Sequence, residues 1–241
     1  MPSALRSIVT GAASGIGKAV VTQLAQRGDQ VVGIDVQSGS DWLVADLSQQ
    51  TERVRVMEEA IAQLGGLDVL VNVAGIYRPT PILESSIADL RGVWKVNLEA
   101  PIELMSLALR EMKKQDFGRV VNVTSVHARF SRKDCLAYDV AKAGLEAATR
   151  SAALTGADFQ VLVNAVAPGF VRTQMSLNED GIDEADTEEF KTDFISRARL
   201  PQKRAAFPEE IAKSVAWLAS RDNTYTTGQT VTVDGGLTIT F

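Results

Sequence analysis

The chain has 241 residues, 45% of them hydrophobic and 23% charged, which fits one globular α/β domain and excludes a disordered chain. A net charge of -5 offers no broad basic field, so neither nucleic acid nor a membrane surface is expected as a partner. The single cysteine, Cys135, excludes an internal disulfide, and no long apolar run opens the chain, so a protein without leader or anchor and a cytoplasmic location are expected.

The apolar run Leu5 to Val9 enters "TGAASGIG", and a helical pattern follows as far as Gly28. "QVVGID" is the next short apolar run. Strand, glycine loop, helix and strand make a βαβ unit, whose crossover forces the two strands to be parallel. The alternation continues with "WLVAD" (42–46), a helix over 54–64 and "LDVLVNVAG" (67–75), which is apolar on both faces, as buried parallel strands are. Strands are predicted at 119–125 and 159–169, helices at 87–114, 136–156 and 208–220, and a last strand in "QTVTVDGG".

These elements predict a single Rossmann-type domain over 1–241: a doubly wound, seven-stranded parallel sheet with helices on both faces. The segment 174–206 breaks the pattern, being rich first in acids ("NEDGIDEADTEEF") and then in bases ("SRARLPQKR"). Its length predicts a substrate lid.

Gly11, Gly15 and Gly17 lie between the first strand and its helix. A pyrophosphate needs such a turn, with close backbone approach and free amides at a helix N-terminus. Ser14 and Ile16 belong to the same turn. Asp35 ends the second strand 18 positions after Gly17, where a carboxylate accepts hydrogen bonds from an adenosine ribose and repels a 2′-phosphate. Neither 12–14 nor 36–38 holds a Lys or Arg to bind that phosphate. NAD(H) is therefore expected over NADP(H).

Tyr138 and Lys142 are one helical turn apart on one face. A free phenol, with a pKa of about 10, is too weakly acidic to serve as a base at neutral pH. A neighbouring ammonium lowers that value, so Tyr138 is the expected proton acceptor or donor as hydride moves to or from a nicotinamide. Ser125 stands at the C-terminal end of a predicted strand, the edge where open α/β sheets bind ligands. Its hydroxyl could bind the reacting oxygen.

With "TGAASGIG", "NVAG" (72–75), Asn97 in "KVNLEAP", Ser125, "YDVAK", "PGFVRT" (168–173) and the closing "TGQTVTVDGG", the chain resembles the short-chain dehydrogenase/reductase family over nearly all its length. The resemblance implies that Asn97 joins Ser125, Tyr138 and Lys142 in a catalytic tetrad, holding a water in a proton relay through Lys142. Lys142 would also bind the nicotinamide ribose. It implies adenine contacts from Asp46 and Leu47, and an adenosine side lined by Asn72, Ala74 and Gly75. Pro168, Gly169, Val171 and Thr173 would flank the nicotinamide. Val73 departs from the family, which commonly has a second asparagine there. The resemblance also implies a homotetramer, built on the helices predicted at 87–114 and 136–156 and on the last helix and strand.

Between Ser125 and Tyr138 the family needs spacing and a substrate wall, not particular charges. His127, the only histidine, could touch a polar substrate or sit solvated in its loop. Arg129 and Arg132 suit a substrate carboxylate or phosphate, or a surface or subunit-interface charge. Arg78 is a further wall candidate, and Cys135 reads as a small packing residue. No metal is expected.

The expected activity is therefore NAD(H)-dependent interconversion of a secondary alcohol and a ketone, on a small polar substrate such as a sugar, polyol, hydroxy acid or cyclic diol. One alternative is 3-oxoacyl-carrier-protein reductase, which Lys113, Lys114 and Arg119 favour as a basic docking surface. Another is a nucleotide-sensing module without turnover.

Overall fold

The computed structural model describes residues 4–240. Residues 1–3, part of the start read above as lacking a leader, and residue 241 lie outside the described residues. In chain order the main elements are β1 (Arg6–Thr10), α1 (Gly15–Arg27), β2 (Gln30–Asp35), β3 (Trp42–Val44), α2 (Gln50–Leu64), β4 (Val69–Asn72), α3 (Ile87–Trp94), α4 (Ala100–Met112), β5 (Gly118–Val123), α5 (Leu136–Ala157), β6 (Val161–Pro168), the short α6 (Glu188–Phe190), α7 (Pro208–Leu218) and β7 (Thr230–Val233).

The seven strands form one sheet in the order β3-β2-β1-β4-β5-β6-β7, with every adjacent pair parallel. The chain starts in the middle of the sheet and winds outward both ways. Two apolar layers follow from this. On one face Ile8, Leu70, Val120 and Val163 pack with Met57, Leu104 and Leu145 of α2, α4 and α5. On the other, Val9, Val71, Val121 and Val166 pack with Val20, Leu24, Ile211 and Val215 of α1 and α7. Alternate residues of each central strand thus serve opposite layers, which is why those strands read as continuous apolar runs.

The strands read at 67–75, 119–125 and 159–169 are shorter than expected, and further differences from the sequence reading have local causes. α2 starts at Gln50, because its polar first turn carries no apolar signal. β3 stops at Val44, two residues short, because the Asp46 carboxylate accepts the Ser48 amide and hydroxyl and closes a turn. The helix predicted over 87–114 is interrupted by a π-turn at Lys95–Glu99. Pro101 explains the break: with no N–H, it cannot make the α-helical bond to the Asn97 carbonyl.

No helix among the described residues is long and apolar enough to cross a membrane.

Candidate active site

The C-terminal ends of β1, β2, β4, β5 and β6 meet at one edge of the sheet, and the predicted site residues gather there. The glycine turn comes first. Gly11 has φ +70°, and a Cβ on it would lie 3.0 Å from the Ala74 amide nitrogen. A Cβ on Gly17 would lie 1.9 Å from the Gly11 carbonyl oxygen, so helix and turn meet only through glycine. Ser14 is the N-cap of α1, and Ile16 packs into the core beneath the turn.

Asp35 closes the turn from the side. Its two oxygens accept the Ala13 amide at 3.0 Å and the Gln37 amide at 2.9 Å. Each carboxylate oxygen keeps a further lone pair for a ribose hydroxyl. The residues present thus fit a dinucleotide: a cradle that any Cβ would fill, amides at a helix N-terminus, and a carboxylate at the next strand end.

Beside the turn, Thr10 was not singled out from the sequence. Its hydroxyl accepts the Val73 and Ala74 amides, both at 3.0 Å, and so ties "NVAG" to the glycine turn. Asn72 is buried and donates to the Asn122 side chain, which donates in turn to Thr149. Asp46 is exposed, and the Ser48 amide holds its carboxyl below the usual range, while Leu47 is buried in the core. Arg53, also missed, is 4% exposed and donates to the Leu47 and Lys95 carbonyls at 2.6 and 2.8 Å. One buried guanidinium thereby joins the loop after β3 to the π-turn that carries Asn97.

Opposite lies "PGFVRT". Pro168 ends β6, and Gly169 packs so tightly on Asp234 that a Cβ would come within 2.9 Å. Val171 bridges Ala206, and the Thr173 methyl would lie 3.1 Å from a Cβ on Gly15, so this loop closes onto the glycine turn.

At the centre, Asn97 is 1% exposed and both ends of its amide are committed to Ile76: Oδ1 accepts its N–H at 2.8 Å, and Nδ2 donates to its carbonyl at 2.7 Å. Lys142 is buried, and its ammonium donates to the Val123 carbonyl at 2.8 Å and lies 5.4 Å from the Tyr138 ring centroid. Gly75 is next to both, since a Cβ there would be 3.4 Å from Asn97 Oδ1 and 3.8 Å from Lys142 Nζ. The Ser125 hydroxyl oxygen accepts the His127 amide at 3.1 Å, which leaves its own proton to donate elsewhere.

The acidity of this cluster differs from the sequence expectation. Desolvation pushes the Tyr138 phenol up to about 12, with the Ser125 hydroxyl opposing the rise, and lowers Lys142 to about 8. The burial of the phenol itself outweighs the neighbouring ammonium, which is directed at the Val123 carbonyl. Lys142 thus releases its proton more readily folded than unfolded, and its burial destabilises the fold at neutral pH. Its share of stability should rise as pH climbs from about 8 towards the ordinary lysine value. Lys142→Met is expected to be at least as stable as wild type at pH 7, and to lack the Lys142 contribution that should stabilise wild type as pH rises from about 8; thermal melts of both proteins across pH check this.

The residues between Ser125 and Tyr138 have partners that the sequence did not reveal. His127 Nδ1 lies 2.6 Å from Asp139 Oδ1, and the imidazole stands edge-on to Tyr138 at 5.6 Å between centroids. Tyr77 packs edge-on to the same ring at 5.9 Å, with its hydroxyl 3.5 Å from the buried Cys135 Sγ. Arg129 faces the buried Glu146 carboxylate at 3.4 Å. Arg132 pairs with Glu184 of the segment expected to be a lid, at 2.8 Å.

Arg172 binds Asp186 of that segment through both terminal nitrogens, and Phe190 and Phe194 pack on Phe170. Glu184 and Asp186 therefore fasten the segment to Arg132 and Arg172, and Phe190, 3% exposed, anchors it against Phe170. Arg78 is exposed beside a groove of about 280 Å³ that Thr80, Glu84 and Asp89 also line.

Comparisons with known proteins agree with this geometry. A family model described as enoyl-(acyl carrier protein) reductase matches residues 11–238. The cis-4-hydroxycyclohexanecarboxylate dehydrogenase of Sinomonas cyclohexanicum is 37% identical over 247 residues, covering 96% of each chain. A 3-oxoacyl-acyl-carrier-protein reductase of Vibrio cholerae is 36% identical over 243 residues, again covering 96% of each. Among solved structures, acetoin dehydrogenase from Enterobacter cloacae superposes with a TM-score of 0.85 at 32% identity, covering 99% of this chain and 97% of that one. The chain belongs to the short-chain dehydrogenase/reductase family and is an oxidoreductase that acts on CH–OH groups with a nicotinamide cofactor.

Proposed function

We propose that the protein is an NAD(H)-dependent dehydrogenase that interconverts a secondary alcohol and a ketone on a small substrate carrying a second polar group. The observation that carries this reading is the convergence of Tyr138, Ser125, Lys142 and Asn97 on one sheet edge beside a glycine turn sealed by Asp35. When bound, the nicotinamide supplies the hydride acceptor or donor. The glycine turn, Asp35, "NVAG", Lys142 and 168–173 would hold the cofactor.

In oxidation Tyr138 takes the hydroxyl proton, and Ser125 donates a hydrogen bond to the same oxygen. Lys142 relays the proton. The Asn97 amide is committed to Ile76, so its carbonyl, which Pro101 cannot cap in the ordinary helical way, is the group left to hold a relay water.

His127 supports the second polar group. With Nδ1 facing Asp139, its Nε2 is left for the substrate: an acceptor from a hydroxyl when neutral, a donor to a carboxylate when protonated. The relative from Sinomonas is named for a substrate with both a hydroxyl and a carboxylate on one small ring, and the Enterobacter structure for acetoin. His127→Gln is expected to raise KM about tenfold or more for a hydroxy acid or cyclic diol, and to change KM little for a plain secondary alcohol. Steady-state kinetics on the two classes tests this; equal effects on both would remove His127 from substrate recognition.

The reductase reading draws support from the Vibrio cholerae relative, but the basic surface it needs is thin. Arg119 is 6% exposed and donates to the Ser220, Gly118 and Asn223 carbonyls, and Lys114 pairs with Glu111. A homotetramer fits the apolar side chains left exposed on two surfaces: Ile102, Val140 and Leu154 of α4 and α5, and Trp217, Tyr225 and Ile239 near the C-terminus.

A further inference from the structure

The geometry points to a zinc site at the substrate end of the cleft, formed by His127, Cys135 and Asp139, through which the metal reversibly blocks the enzyme. The blocking effect rests on the substrate role proposed for His127; the binding itself does not. One ligand atom from each of the three residues lies within 4.8 Å of the other two. Tetrahedral zinc, with bonds of about 2.0–2.3 Å, needs ligand separations of roughly 3.5 Å, so side-chain shifts of about 1 Å suffice.

The scaffold favours this set. Cys135 and Asp139 are four residues apart at the start of α5, which puts them on one face a turn apart. His127 enters from the 3₁₀ turn that follows Ser125, already 2.6 Å from Asp139. Cys135 is 4% exposed and His127 and Asp139 are partly buried, so the metal would be held with little competing water. A thiolate, an imidazole and a carboxylate suit zinc better than magnesium or calcium, and they leave one tetrahedral position for water or a substrate oxygen.

In binding, the Cys135 S–H bond breaks, its proton leaves to solvent, and a Zn–S bond forms. A neutral His127 keeps one ring proton and gives its other nitrogen to the metal, replacing its hydrogen bond to Asp139. No redox step is involved. With the metal on Nδ1, the ring proton sits on Nε2, which can then no longer accept from a substrate hydroxyl, in a ring 5.6 Å from that of Tyr138 between centroids.

The test uses the full-length protein, kept reduced and free of cofactor and substrate, titrated with Co2+ and then Zn2+. Expected are one Co2+ per chain with tetrahedral d–d bands and a thiolate-to-cobalt charge-transfer band, displacement by Zn2+, and zinc inhibition competitive with the alcohol. Cys135→Ser should lose the charge-transfer band and bind zinc at least about tenfold more weakly, while keeping its metal-free turnover. Asp139→Asn should keep the band and also bind more weakly.

A cobalt spectrum without the charge-transfer band, or zinc affinity unchanged in both variants, overturns the site. An inactive protein that still shows the band counts against the dehydrogenase reading alone. A working dehydrogenase without the band counts against the metal site alone.

Discussion

Tyr138→Phe should lower kcat by about 10³-fold while leaving NADH affinity within about threefold of wild type. The substitution deletes only the hydroxyl, and the ring still packs against His127 and Tyr77. Structure and binding should therefore survive while the proton transfer does not. The raised phenol sharpens this expectation. At neutral pH Tyr138 is a protonated donor, suited to protonating a carbonyl in reduction. Oxidation requires the phenolate, so its rate should climb with pH through the range in which reduction slows. Rapid mixing with a preformed NADH complex separates the lost chemical step from binding; a variant with full kcat would remove Tyr138 from proton transfer.

Asp35 should carry the next largest effect, on cofactor choice. A carboxylate and a 2′-phosphate about 4 Å apart repel by about 4 kcal/mol at the intermediate polarity of a protein surface, enough for roughly 10³-fold discrimination. Wild type is therefore expected to favour NAD+ over NADP+ by about 10²- to 10³-fold in kcat/KM. Asp35→Asn should cut that ratio by about tenfold or more, by relieving the repulsion of the 2′-phosphate and by weakening the hold on the NAD+ ribose. The isosteric amide is the mildest neutral replacement: its Oδ1 can accept one of the Ala13 and Gln37 amides while its Nδ2 cannot accept the other, and a smaller residue would free both. Parallel kinetics with the two cofactors give the ratio; a wild-type preference for NADP+ would refute the role assigned to Asp35.

The parallel sheet was legible because β1, β4, β5 and β6 are buried on both faces and so carry unbroken apolar runs. The glycine turn and the Tyr138–Lys142 pair were legible because short spacings record close contacts. Contacts between distant parts of the chain left no such trace. Arg132 and Glu184 are 52 positions apart, and Arg53 reaches the Lys95 carbonyl across 42, yet these bonds hold the segment 174–206 and the Asn97 turn.

Asp139 follows Tyr138 directly and reads as one more helix-surface acid until His127 is seen 2.6 Å away. The π-turn was foreshadowed by Pro101 within a helical pattern, a signal the periodicity of 87–114 outweighed. The acidity of Tyr138 ran opposite to expectation because a sequence shows a neighbouring lysine but not how deeply the phenol itself is buried.

The most direct test of the dehydrogenase account is nicotinamide absorbance on mixing purified protein with NAD+ and a panel of small hydroxy acids, cyclic diols, polyols and sugars, with Tyr138→Phe run alongside. The account predicts NADH formation with at least one substrate carrying a second polar group, far slower formation with NADP+, and none above background in the variant. Tight NADH binding with no turnover on any member of the panel would contradict it and favour a nucleotide-sensing role.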